Sequence, residues 1–142
     1  MQAGDQIPGW TMESVDREKM KTMAVLLHDS NLIHLDPAAV AALGLGDRPI
    51  NQGPTNLAYI MNMLAQWSGG FEQIAEVDVR FLANVFSEDS VTASGTVLSA
   101  DGCATECEVR LDGPDGAVIQ GTASVRRAPR LASSSDEHRR PG

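Results

Sequence analysis

Two groups able to move protons lie close together in this chain. They are Asp29 and His34, with Asn31 between them, in the run His28-Asp29-Ser30-Asn31-Leu32-Ile33-His34-Leu35-Asp36-Pro37. A carboxylate and an imidazole aimed at one water or one substrate proton make a general base and a general acid. On an unbroken helix, side chains at this spacing diverge by roughly 140°, so the two converge only if the helix breaks between them. Asn31 is the expected break, because Asn tolerates the left-handed conformation that ends helices. Asp36 and Pro37 then read as the N-cap and first residue of a new helix. The pair is expected in an irregular turn between two short helices, a placement that lets side chains point into a pocket. From spacing alone, a helix-terminal carboxylate beside a partly buried imidazole fits as well.

A third feature lies downstream. Arg48-Pro49-Ile50-Asn51-Gln52-Gly53-Pro54 leads into Thr55 to Trp67, an apolar stretch without charge that Ser68-Gly69-Gly70 ends. It reads as a buried central helix. Pro54 has no N–H, so the Gly53 amide, unobstructed by a side chain, is a free donor near the positive end of the helix dipole. An amide so placed can stabilise an oxyanion. On the helix itself, Tyr59 and Trp67 read as core or pocket wall.

Other elements must hold these residues in place. A first strand is expected over Trp10 to Val15. A helix N-capped by Asp16 then carries Met20, Met23, Ala24 and Leu27 on one face and delivers Asp29 at its end. A short helix from Pro37 to Leu43 stops at Gly44. Strands follow around Glu72 to Leu82, Val91 to Ser99, Ala104 to Leu111 and Ala117 to Arg126, the last two joined at Gly113-Pro114-Asp115-Gly116. This is an α+β order, in which an antiparallel sheet wraps one helix. Such a sheet leaves exposed edges, and pairing with a second copy would cover them, so a homodimer is expected. Cys103 and Cys107 fall on the apolar side of an alternating strand, roughly 13 Å apart and beyond disulfide reach, and are expected as core thiols rather than metal ligands.

In order and spacing these segments resemble the MaoC-like dehydratases and (R)-specific enoyl-CoA hydratases. The likeness is carried by Asp29-Ser30-Asn31-Leu32-Ile33-His34, Leu35-Asp36-Pro37, Arg48-Pro49-Ile50, Gln52-Gly53, Val77-Asp78-Val79-Arg80-Phe81 and the turn from Phe86 to Thr92, and it runs from about Asp5 to Arg127. The resemblance implies a hot-dog fold, dimeric, with Asp29 and His34 activating water and the Gly53 amide binding a thioester oxygen. It implies hydration or dehydration of an enoyl thioester on coenzyme A or a carrier protein. The chain has His28-Asp29 where the family usually has Gly-Asp, Asn31-Leu32 for Asn-Pro, Gln52-Gly53 for His-Gly, and Met61 where many members place Ser. Asn31, Gln52, Tyr59 and Met61 are therefore the expected substrate-contacting residues. Altered flanks also leave room for a tailoring dehydratase, isomerase or cyclase, or for a noncatalytic subunit of a heteromeric hydratase. The absence of a carboxylate between Thr55 and Trp67 argues against a hot-dog thioesterase.

The 142 residues suffice for one domain with a real core, expected over 1–127, with a polar, disordered tail over 128–142. A net charge of −8 and three Phe argue against nucleic acid as a partner. Arg80, Arg126 and Arg127 are the candidate local cations for a polyanionic coenzyme. With no spanning run and no signal-peptide pattern after Met1, the reading is cytoplasmic, without membrane, metal or cofactor.

Overall fold

The structure, a computed structural model, describes residues 2–29 and 31–126. The expected polar tail and Arg127 lie outside the described residues. The elements are β1 (Gln6–Met12), α1 (Arg17–Leu26), a 3-10 turn (Leu32–His34), α2 (Pro37–Ala42), α3 (Gly53–Ser68), a second 3-10 turn (Phe71–Gln73), β2 (Ile74–Phe81), β3 (Val91–Ala100), β4 (Ala104–Gly113) and β5 (Gly116–Arg126). All strand pairs are antiparallel, in the order β1-β3-β4-β5-β2. A five-stranded sheet around a central helix is the hot-dog architecture that the family resemblance implied.

Alternation produces the sheet's inner face. Val91, Ala93 and Val97 of β3 point inward, as do Cys107, Val109 and Leu111 of β4, and all are buried. Against them lie Tyr59, Ile60, Met63 and Leu64 of α3, which complete one apolar core. Close helix–sheet approach needs Gly95, where an added Cβ would stand 2.8 Å from Ile7 Cδ1 and 3.3 Å from Met63 Cε.

Several elements differ from the sequence reading for definable reasons. The first strand covers Gln6–Met12 and starts four residues before the expected Trp10. Pro8 and Gly9 sit at a register shift between Ile7 and Trp10 on an edge strand, where a missing ladder donor is tolerated. Past β1, Val15 still pairs: its N–H donates to the Asp89 carbonyl at 3.0 Å, and its carbonyl accepts from Glu88 at 2.7 Å. On α1, Met20 and Ala24 are buried, but Leu27 is 40% exposed and belongs to the C-cap instead of the inner face. Cys107 is buried while Cys103 is exposed, because β4 begins only at Ala104 and Cys103 precedes the alternation.

The expected break at Asn31 lies three residues earlier. His28 adopts φ 52°, whereas Asn31 has φ −67° and caps the 3-10 turn. His28 N–H donates to the Val25 carbonyl and Asp29 N–H to the Ala24 carbonyl, the paired bonds of a Schellman terminus with His28 in the left-handed position. Expected caps on the other helices are present. Asp16 accepts from Glu18 N–H, Asp36 from Ala38 N–H with Pro37 following, and α3 ends at Gly69 with φ 100°.

Candidate functional site

The Schellman terminus reverses the chain at the end of α1 and turns Asp29 toward the 3-10 turn. Asp29 Oδ2 lies 3.0 Å from His34 Nε2, and Asp29 Oδ1 accepts the Asn31 N–H at 3.0 Å. The Asn31 side chain accepts in turn from Ile33 N–H at 3.2 Å, which fixes the turn that carries His34. Asn31 therefore orients the loop. His34 is buried, and its Nδ1 is 2.6 Å from the Ile50 carbonyl oxygen. A carbonyl only accepts, so Nδ1 carries a proton and Nε2 is the ring atom left to exchange one with Asp29. Ile50 N–H donates back to the Ile33 carbonyl at 2.7 Å, so the 3-10 turn and residue 50 are bonded in both directions.

Residues 50 to 53 each hold a different part of this region. Ile50 orients His34. The Asn51 side chain donates from Nδ2 to Asn56 Oδ1 at 2.8 Å and to the Tyr59 hydroxyl at 3.1 Å, while its N–H bonds the Val85 carbonyl at 2.7 Å. Gln52 is 1% exposed and donates from Nε2 to the Met20 carbonyl of α1 at 2.9 Å. As first residue of α3, Gly53 has an N–H with no intrahelical acceptor, and it donates to no group among the described residues. The Phe81 ring lies over it, 3.5 Å from where a Gly53 Cβ would be. The amide is thus free beside an apolar wall that would strengthen its hold on a developing negative charge.

Other candidates fall elsewhere. Tyr59 is buried, stacks on Trp10 with ring centroids 5.4 Å apart, and burial raises its hydroxyl above its ordinary pKa, so it stays protonated. With Asn51 and Thr55 it walls a mostly apolar, open cavity of about 260 Å³ that Met12, Val15 and Met23 also line. Asp29, His34 and Gly53 are not among the cavity's walls, although Asn51 and Thr55 stand two residues to either side of Gly53. Half-buried Met61 is two turns along α3 from Gly53 and does not line this cavity. Gln52 meets α1 and not an open pocket. Arg80 and Arg126 are exposed, and Arg126 reaches the Glu72 carbonyl at 3.4 Å. No group of three or more His, Cys, Asp or Glu among the described residues could hold a metal ion.

The Asp29–His34 pair and the free Gly53 amide are brought to neighbouring stretches of backbone, since His34 is bonded to Ile50, three residues from Gly53. Sequence reasoning missed the Ile50 carbonyl and the Met20 carbonyl, since a backbone acceptor has no side-chain signature. Comparison with known proteins bears on what such an arrangement does. The sequence model described as MaoC like domain matches residues 5–112. Among solved structures, the (R)-hydratase from A. caviae involved in PHA biosynthesis is similar over 91% of this chain and 98% of its own, with TM-score 0.80 and 24% identity. R-hydratase PhaJ1 from Pseudomonas aeruginosa is similar over 91% and 83%, with TM-score 0.76 and 22% identity. A chain of the ChsH1-ChsH2 complex from Mycobacterium tuberculosis is similar over 88% and 97%, with TM-score 0.77 and 18% identity. No curated protein sequence matches at a significant level.

Proposed function

The chain belongs to the MaoC-like domain family, and on that premise we propose that it is a hydro-lyase that adds or removes water at the 2,3 double bond of an enoyl thioester. The observation that carries this reading is the 3.0 Å contact between Asp29 Oδ2 and His34 Nε2, with Nδ1 tied to the Ile50 carbonyl. In the hydration direction, the Asp29 carboxylate takes a proton from water as its oxygen bonds to C3. The π electrons move toward the thioester oxygen, which the Gly53 N–H stabilises, and protonated His34 delivers the Nε2 proton to C2. The proton on Asp29 then returns to His34 across their contact, and the pair is ready again. Atoms and charge balance without a cofactor.

An oligomer belongs to the same proposal. β1 and β2 are the open edges of the sheet, and Phe81, the last residue of β2, and Leu82 just after it are 53% and 51% exposed. Pairing two copies would cover such a surface. Light scattering is expected to give a dimer mass at micromolar concentration; a monomer would overturn this part. For the reaction, purified protein is expected to hydrate crotonyl-CoA, seen as loss of the enoyl-thioester absorbance. If the chain alone is inactive but gains activity with a partner hot-dog subunit, the heteromeric reading replaces the homodimer.

A further inference from the structure

We infer that Gln52 is a positioning residue: its amide ties the helix that delivers Asp29 to the helix start that presents the Gly53 N–H, and so sets the distance between proton transfer and oxyanion stabilisation. The inference rests on the proposed hydro-lyase reading for its kinetic consequence, though not for its structural one.

Three observations converge. Gln52 Nε2 donates to the Met20 carbonyl at 2.9 Å, a cross-link from the residue before Gly53 to the middle of α1. That helix ends in the Schellman terminus whose last donor is Asp29 itself, bonded to the Ala24 carbonyl one turn beyond Met20. Any shift of α1 against α3 therefore moves Asp29 relative to Gly53, while His34 stays fixed by Ile50. The third observation concerns what the amide lacks. Gln52 is 1% exposed, yet its Oε1 has no hydrogen-bond partner among the described residues. A buried carbonyl without a donor is costly, so an apolar side chain of the same shape would serve stability as well or better. A half-satisfied amide at this position is explained by the directed bond that it makes to α1, which an apolar residue cannot supply.

The test compares wild type with Gln52→Met, similar in shape but without polar atoms. The melting temperature is expected to stay within about 3 °C of wild type, because loss of one bond is offset by loss of an orphan carbonyl. On crotonyl-CoA, kcat is expected to fall about 10- to 100-fold with KM changed less than about threefold, the signature of misplaced chemistry with binding retained. Unchanged kcat, or a drop in melting temperature with kcat per folded molecule intact, overturns the inference. Gln52→Glu gives a second reading should Gln52→Met fail to fold. A protonated carboxyl can donate to the Met20 carbonyl and an ionised one cannot; burial at this 1% exposed position disfavours the charged form and raises the carboxyl's pKa, so kcat relative to wild type should rise as pH is lowered from about 8 to about 5.5. A flat ratio counts against the inference. If wild type does not hydrate crotonyl-CoA, the reaction reading fails alone, and hydrogen exchange decides the rest. Amides of α1 and Asp29 should exchange at least about fivefold faster in Gln52→Met, while those in the middle of α3 do not change. Equal exchange in α1 overturns the positioning role.

Discussion

The central helix and the turn that carries Asp29 are held by different physics. α3 is a 16-residue helix whose buried face, Asn56, Tyr59, Ile60, Met63, Leu64, Ala65 and Ser68, is pressed into the sheet. Its burial is the sum of many weak, mostly non-directional contacts, with directed bonds only near its start, from Asn51 to Asn56 and Tyr59 and from Gln52 to Met20. Asp29 and His34 lie in a stretch with little apolar cover, where Val25, Leu26 and Leu32 are 75%, 67% and 57% exposed. They are aimed by a few directed bonds to the Ala24, Asn31 and Ile50 backbone. Stability resides in the first region and geometry in the second. Substitutions in the two should separate folding from activity.

The sharpest way to break this contrast is to remove the proposed proton carriers. Asp29→Asn keeps size and much of the hydrogen bonding but removes the base, and His34→Ala removes the second carrier. Each is expected to lower kcat on crotonyl-CoA by roughly 10² to 10⁴, about 3 to 5 kcal/mol of transition-state stabilisation. The double variant should be little worse than either single one if the two act as a unit, as proposed. Near wild-type turnover by folded single variants would remove the pair from the mechanism and favour a noncatalytic subunit. In α3 the expectation reverses. Ile60 is fully buried, and Ile60→Ala should cost about 2 to 5 kcal/mol in urea unfolding, with kcat per folded molecule close to wild type.

A smaller effect checks the sheet side of the comparison through pH. Cys107 is buried on β4, and burial, with Glu106 beside it, pushes its thiol from 9.0 up to about 11. Between these values the unfolded chain releases a proton that the folded chain keeps, so rising pH favours unfolding. The stability contribution is intact below about pH 9, and on the order of 1 kcal/mol is lost by about pH 10. Urea midpoints at pH 8 and pH 10 should therefore diverge more for wild type than for Cys107→Ala. Equal slopes would mean that water reaches the thiol.

Regular elements were legible because their signals are local and repeated. Alternation from Val91 to Leu111 and the uncharged stretch from Thr55 to Trp67 located the sheet and its helix within a few residues. Asp16, Asp36 and Gly69 marked their helix ends by chemistry that caps require. Asp29, His34 and Gly53 could be picked out because their types and order matched a family pattern. What holds them was hidden. Ile50 and Met20 act through backbone carbonyls, and Gln52 looked like pocket lining because nothing local reveals that its amide crosses to another helix. The first strand reads four residues late, since Pro8 and Gly9, at the register shift of an edge strand, interrupt the alternation that marks a strand.

The smallest expected effect lies where the two regions meet. His28 holds the left-handed position of the α1 terminus at φ 52°, a conformation that costs a residue with a Cβ roughly 1 to 2 kcal/mol and glycine almost nothing. Its side chain is exposed, so little packing is lost on truncation. Against the relief of strain stands the larger unfolded-state entropy of glycine, roughly 0.5 to 1 kcal/mol. His28→Gly should therefore raise the melting temperature by about 2 to 4 °C, with kcat on crotonyl-CoA within about twofold of wild type. A lower melting temperature would show that the imidazole makes contacts worth more than the backbone strain. A higher one accompanied by a tenfold loss of kcat would be more telling. The strained residue would then serve to aim Asp29, and the line between the region that folds and the region that acts would run through His28 itself.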